Sequence, residues 1–365
     1  MAVGCLLAAP AWAKSPKPKT PPTVVDLVWP GPPERPRIRY LGSIAGAEDV
    51  TGRVKPSFIE RLSGRSPLRD QLRLMKPYGV VVDKSNRIFV ADTVQRAVLV
   101  FHRETGAAVR WRGNAQFPLF LPVGLALDPQ GRLFVSDSFA RHIVVFDPSG
   151  KPVAALGKGN LVRPGGLAID AQRGWLYVAD VVRNQIYVFN TTTLKLEKAI
   201  GSVILKGAPS EGRFSGPTNV ALDSKGNLYV TDTWNCRVQV FDPEGKFLRV
   251  FGTQGIQPGM FMRPKGIAID NEDHVYVVDA EFNNFQIFTP EGRPLLFVGS
   301  QGEEPGQFLL PTGMFIDHQN RIYVTEHRLG GGRLQIFQFL SEANDPPQPA
   351  SGDRGPKEKA YARAR

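Results

Sequence analysis

The chain repeats one short pattern six times: an apolar run closing on Asp, a turn, a second run closing on Asp or Glu, then a third apolar run. GVVVD, RIFVAD and VLVF are its first appearance, and GMFID, RIYVTE and LQIF its last. The Asp ending each first run falls at Asp83, Asp128, Asp170, Asp223, Asp270 and Asp317, in steps of 45, 42, 53, 47 and 47 residues. A period in this range belongs to solenoids, propellers and arrays, whose units bury their apolar faces only against one another. Each unit is β-rich and punctuated by turn residues, so strands are expected and not helices. In the fourth unit the strands are expected at 219–223, 228–231, 237–241 and 247–251. The last two are joined by Asp242-Pro243-Glu244-Gly245, in which Pro presets φ and Gly permits a positive one. The runs are apolar without alternation, so both sheet faces must be covered. Four strands per unit and six units predict an all-β fold, a six-bladed propeller of four-stranded blades.

The sixth unit ends after LQIF, at 334–337, without a fourth strand. The missing strand is legible at the other end of the chain. ERPRIRYLGS, residues 34–43, matches EGRPLLFVGS, residues 291–300, which is the fourth strand of the fifth unit. Residues 36–43 are therefore expected to close the last blade, leaving no open sheet edge for other chains to pair with. The propeller proper occupies 74–340. Residues 44–73 form an insertion between the closing strand and the first full unit. Within it 56–62 reads as a short amphipathic helix, with Phe58, Ile59 and Leu62 on one face. Leu68, Leu72 and Leu74 continue the apolar series.

The units resemble the NHL repeat family. The resemblance is carried by the Pro-x-Gly that opens each unit, the Tyr-Val-x-Asp second strand, the Asn-x-Arg before the third strand, and a linker Gly-x-x-Gly-x-x-x-Gly-x-Phe-x-x-Pro. That linker stands at 252–264 and again at 299–311. The likeness spans roughly residues 36–340 and implies a bacterial exported propeller. WD40 and kelch repeats fit less well, since neither a periodic Trp-Asp pair nor a periodic double glycine is present.

The ends point to export. Residues 1–13, MAVGCLLAAPAWA, combine an apolar run with an Ala-x-Ala pattern, as in a signal peptide. Residues 14–35 are rich in Lys and Pro and are expected to be a linker; 341–365 are polar, charged and Pro-rich, and expected to be disordered. The expected location is the periplasm or outside the cell. Ala2-Val3-Gly4-Cys5 also loosely resembles a lipobox, which would make Cys5 a lipid anchor. The apolar run is too short to span a bilayer. Cleavage after Ala13 leaves Cys236 as the sole thiol, so no internal disulfide is expected. The net charge of +11 is concentrated early: residues 1–73 carry 12 Lys and Arg against 6 Asp and Glu, whereas 74–340 carry 28 against 24. A nearly balanced propeller argues against nucleic acid as the partner.

Candidate site residues follow from the ring. The start of each first strand and the end of each second strand open on one face, around a channel mouth. The residues after the six opening prolines are Tyr78, Val123, Gly165, Thr218, Lys265 and Thr312, and the next positions are Gly except Asn219. Tyr78, Asn219 and Lys265 are the polar departures. Loop tips on the same face add the aromatics Phe139, Trp234 and Phe282, a residue type that anchors recognition surfaces. A second acidic ring, Asp92, Asp137, Asp180, Asp232, Asp279 and Glu326, recurs in every unit. It is therefore expected to satisfy the loop between strands two and three, with partners Arg96, Arg141, Arg183 or Asn184, Asn235 and Arg237, Asn283 and Arg328.

The reading these residues favour is a non-catalytic extracytoplasmic scaffold that binds a protein or ligand through one channel mouth. The alternative is a lyase or lactonase using the same mouth. The resembling peptidyl-hydroxyglycine lyases hold zinc through histidines directly after the opening Pro, and none of those six positions is His here. The related lactonases use calcium, and Asn219 alone fits that pattern. No cofactor and no metal site are expected on these grounds. RNA binding, known for some members of the family, ranks last, with only the basic stretch 35–73 in its favour.

Overall fold

The computed structural model describes residues 27–51, 72–203 and 210–341. The expected leader, Cys5, most of the linker, the 56–62 helix and the tail lie outside the described residues. Six antiparallel sheets follow one another around a ring; five have four strands in sequence order, and the last takes strands from both ends of the described chain. Blade four shows the unit: Pro217–Leu222, Leu228–Asp232, Arg237–Phe241 and Phe247–Phe251. Among the described residues, no helix is long and apolar enough to cross a membrane.

The last blade is closed from the other end of the chain, as the repeat alignment predicts. Pro311–Ile316, Arg321–Glu326 and Arg333–Phe339 supply three strands and Ile38–Ile44 the fourth. The closing pair runs antiparallel from Ile38↔Phe339 to Ile44↔Leu334, with a bulge between Tyr40 and Gly42. Val28–Trp29, which composition placed in the linker, adds a short fifth strand against Ile38 and Arg39. Trp29 and Tyr40 pack edge-on against Phe337, at 5.8 and 5.5 Å between ring centroids. The insertion leaves the ring at Gly46 and returns at Arg73, where a single β-bridge joins its two ends. Val50 and Leu72 pack on the seam between blades six and one.

Apolar burial is divided among six seams, one between each pair of neighbouring blades. Phe89, Val98 and Trp111 of blade one meet Leu133, Val135 and Phe146 of blade two. Tyr323, Leu334 and Ile336 of blade six meet Val90, Leu99 and Phe101 of blade one. The long linkers seal three further seams. Phe214, Phe261 and Phe308 are wholly buried. Each ring lies where a Cβ would project from a left-handed glycine (Gly201, Gly252 and Gly299), with 2.2 to 2.5 Å of room. Gly is required there by both backbone conformation and space. A third-strand glutamine reads each linker: the side-chain oxygens of Gln239, Gln286 and Gln335 accept from Gly212, Gly259 and Gly306 N–H, each at 2.9 Å. Blades one to three have Leu99, Val144 and Tyr187 at that position and no such linker.

The first acidic ring tightens the turn between strands one and two. Asp83 accepts from Ser85 and Arg87 N–H, and its other oxygen from Arg87 Nε at 2.7 Å. Arg132, Arg173, Asn227, His274 and Arg321 fill the same role for the other five acids. His274 Nδ1 lies 3.0 Å from Asp270 Oδ2, and that hydrogen bond raises its pKa above the ordinary histidine value against the opposing effect of burial.

Two predictions follow from this architecture. Phe337 is wholly buried among Trp29, Tyr40, Phe285 and Phe308, so Phe337→Ala should cost about 3–5 kcal/mol in urea unfolding. Deleting residues 1–43 should cost at least as much, because it removes the strand as well as two of those rings. A truncated chain that unfolds at the wild-type urea midpoint would refute closure by this strand. The second concerns pH. A histidine with a raised folded pKa contributes stability that is complete below its unfolded value, about 6.5, and is lost as pH rises through the folded value. His274→Arg keeps a charged partner for Asp270 at every pH, as Arg87 does for Asp83. The variant should therefore gain on wild type as pH rises above about 6.5; parallel stability profiles would exclude the contribution.

Candidate functional site

The pairing places the two predicted rings on one face. The first residue of each first strand opposes the last residue of each second strand: Pro77↔Asp92, Pro122↔Asp137, Pro164↔Asp180, Pro217↔Asp232, Pro264↔Asp279 and Pro311↔Glu326. Inside runs an apolar channel of 710 Å³, lined by first-strand residues such as Val81, Leu125, Leu167, Val220, Ile267 and Met314. Near the mouth the backbones crowd together: a Cβ on Gly79 would meet the Val123 carbonyl at 2.4 Å. Asn219 is the departure from glycine in this ring. Its side chain fills the space over Gly166 and lines the channel.

The second acidic ring is structural, and its partners differ from those the sequence suggested. Asp92 accepts from Met75 and Lys76 N–H with one oxygen and from Val94 and Gln95 N–H with the other, at 2.6 to 3.1 Å. Asp137 does the same with Phe120, Leu121, Phe139 and Ala140. Backbone amides thus satisfy most of what the side chains of Arg96, Arg141 and Arg183 were expected to satisfy. Arg96 and Arg141 are instead left-handed turn residues, and Arg183 offers Asp180 only its N–H. Asn184 and Asn283 accept from Gly216 and Leu310 N–H of the following blade. Arg328 pairs with Glu303 rather than Glu326, which takes Arg333. Asn235 and Arg237 do bond Asp232, as expected, each at 2.8 Å.

A three-fold pattern is superposed on the six blades. Two side chains of each even blade grip the corner of the next odd blade. Ser136 and Ser138 donate to the carbonyls of Gly165 and Pro164, and Thr231 and Thr233 to those of Lys265 and Pro264. Thr325 donates to Tyr78 O at 2.5 Å, and His327 Nε2 lies 2.9 Å from Pro77 O. The odd blades have Ala91, Ala179 and Val278 where Ser136, Thr231 and Thr325 stand. The gripped corners are also the basic ones. The residues before the six prolines are Lys76, Leu121, Arg163, Gly216, Arg263 and Leu310, with the cations in blades one, three and five.

Of the expected site residues, Tyr78 and Lys265 share one electrostatic environment. Burial raises the Tyr78 pKa even though Arg163 and Arg263 pull it down. Burial, then Arg263 and Arg163, lower that of Lys265. Tyr78 packs edge-on against His327 at 5.0 Å, and burial depresses the His327 pKa. Cys236 is a buried thiol in a left-handed turn, its pKa raised by burial.

The three aromatics behave differently. Phe139 and Trp234 are 69% and 72% exposed. Phe139 leans on Phe120 at 5.6 Å, and the Trp234 indole lies over Gly216. Phe282 is half-buried. Phe139 and Trp234 stand two residues past their blade's acid. The same position holds Val94 in blade one and Val182 in blade three, 58% and 52% exposed. Four successive blades therefore present an apolar tip; Glu281 and Arg328 take the position in blades five and six. Sequence inspection missed Val94, Val182, Arg163, Arg263 and His327. The position two past each acid, compared across blades, carried the signal for the first two. Among the described residues, no three His, Cys, Asp or Glu side chains converge to hold a metal ion.

Comparison with known proteins agrees with this architecture. Residues 214–241 and 261–289 match the NHL repeat family model. A Caenorhabditis elegans protein named as a probable peptidyl-alpha-hydroxyglycine alpha-amidating lyase is 30% identical over 99 residues, covering 27% of this chain and 28% of that one. The chain thus spans well under a third of that curated relative's length, and two others are matched over 4% of theirs. Among solved structures, virginiamycin B lyase from Staphylococcus aureus superposes with a TM-score of 0.53 at 16% identity, over 73% of this chain and 95% of that one. A gluconolactonase from Xanthomonas campestris gives 0.55 at 17%, over 73% and 86%. At these identities the likeness speaks to fold. The chain is a six-bladed β-propeller that carries NHL repeats at 214–241 and 261–289.

Proposed function

We propose that this propeller is a non-catalytic binding module that recognises a partner protein through the face bearing the loop tips. The observation that carries the reading is the apolar crown of Val94, Phe139, Val182 and Trp234 on four successive blades. Large apolar side chains at loop tips gain nothing in water, and clustered exposure of this kind marks interaction surfaces. The scaffold beneath is rigid, because the amides of each loop are fixed by a buried acid. Rigid aromatic tips lose little conformational entropy on binding. Residues 1–13 read as an export signal, which supports a place in the periplasm or outside the cell. Recognition of this kind requires no cofactor.

One observation favours a second reading, a lyase or lactonase. Tyr78 and His327 pair at the mouth, and a histidine with a depressed pKa is neutral at pH 7 and able to accept a proton. The similar proteins named above include two lyases and a gluconolactonase.

The two readings separate by mutation. Phe139→Ala with Trp234→Ala should leave folding intact, since both side chains are exposed. Capture of a specific partner from an extracytoplasmic fraction should fall by about 2 kcal/mol or more for each tip that is an interface anchor. His327→Gln should leave capture unchanged. Undiminished capture by the double variant would move the binding surface elsewhere. A lactone- or ester-opening activity lost in His327→Gln would favour the enzyme.

A further inference from the structure

The basic residues of the two faces are treated differently. On the face of the first acidic ring, Arg87, Arg132, Arg173 and Arg321 each pair with an Asp at 2.6 to 2.8 Å. On the mouth face, among the described residues, neither Lys265 nor Arg163 has a carboxylate partner. Arg263 has only a loose contact of 3.9 Å with Glu281, both exposed. None of the twelve residues flanking the six corner prolines is acidic. The nearby acids, Asp92 and its counterparts, are wholly buried and engaged by amides and their own blades.

These cations act on one place. Arg163 and Arg263, from alternate blades, both bear on Lys265 and on Tyr78, while Lys76 and Lys265 both bear on His327 with the buried Asp92 opposing them. Lys265 is half-buried, and its ammonium has no hydrogen-bond partner among the described residues. Holding like charges around a partly desolvated ammonium is unfavourable unless an anion enters. The corners carrying them are the ones gripped by Ser136 and Ser138, by Thr231 and Thr233, and by Thr325 and His327. The clamps therefore fix the backbone of these corners with the site empty, so that the cations project from a rigid base.

Resting on the proposed binding role, we infer that the partner segment crossing this face is acidic: it inserts a Glu or Asp side chain at Lys265, between Arg163 and Arg263, while its apolar residues lie on the Phe139 and Trp234 tips. Charge complementarity argues for the carboxylate. The apolar crown on the same face leaves a free phosphate nothing to place there, and the nearly balanced charge of residues 74–340, 28 Lys and Arg against 24 Asp and Glu, argues for a polypeptide over a nucleic acid. An Arg presents a planar pair of donors to a carboxylate and a Lys a point charge, so the corner can hold both oxygens.

The test uses the full chain and three probes: a blocked octapeptide of alternating Leu and Glu, the same peptide with Gln for Glu, and inorganic phosphate. Calorimetry should show the Glu peptide binding about tenfold or more tighter than the Gln peptide, weakening as salt is raised. Lys265→Gln and, independently, the exposed Arg163→Gln should erase most of that preference, with Lys265→Arg retaining it. Equal binding of the two peptides would overturn the acidic assignment while leaving the crown's role standing, provided Phe139→Ala with Trp234→Ala still weakens both. Failure of the Glu peptide to bind, or a Glu preference unchanged in both glutamine variants, would also overturn it. So would phosphate binding as tightly as the Glu peptide, because the site would then serve a small oxyanion.

Discussion

Every blade of this ring is stabilised by its neighbours and none by itself. The buried apolar residues fall into six seams, and the inner three strands of a blade contribute one face to the seam before it and the other to the seam after it. This accounts for the non-alternating strands, because a residue pointing either way meets another sheet. It also accounts for the closing strand. An open ring would expose the outer edge of blade six and weaken the seams on either side of it. Trp29 and Tyr40 on Phe337 make the junction resemble any other seam from within.

Polar groups are arranged on the same principle. Each blade spends two acids on its own turns. One fixes the hairpin between strands one and two; the other fixes both the approach to strand one and the loop after strand two. The loops around the mouth are thereby held by buried carboxylates, with the corners clamped in addition by the preceding blade. Their tips are free to differ between blades without loss of the fold. Val94, Phe139, Val182, Trp234, Glu281 and Arg328 occupy one structural position, apolar in the first four blades and charged in the last two.

The architecture was legible because seams impose a period. Asp83 and its five counterparts recur since every blade needs the same turn, and the closing strand was found because 34–43 carries a fourth-strand sequence. Tyr78 and Lys265 were visible as exceptions within a repeated position. Arg163 and Arg263 were not, since the residue before each proline is Lys, Leu, Arg, Gly, Arg and Leu in turn, which reads as unconstrained linker. Their regularity has a period of two blades and is seen only once the gripping hydroxyls of Ser136, Thr231 and Thr325 are placed. The acid partners were misjudged for a related reason: side chains can be paired by inspection of a sequence, whereas the amides of Met75, Lys76, Val94 and Gln95 are invisible in it.

The alternation of gripping and gripped blades makes the ring a trimer of two-blade units within a single chain. Even blades supply hydroxyls or a histidine to the corner ahead; odd blades supply the cations. Blade number is consequently quantised. Adding or removing a single blade by duplication or deletion would set two blades of one kind side by side, leaving either a corner without its clamp or a clamp without its corner. Chains built on this scheme can lengthen or shorten only in pairs, so a relative with five or seven blades would have had to abandon the scheme.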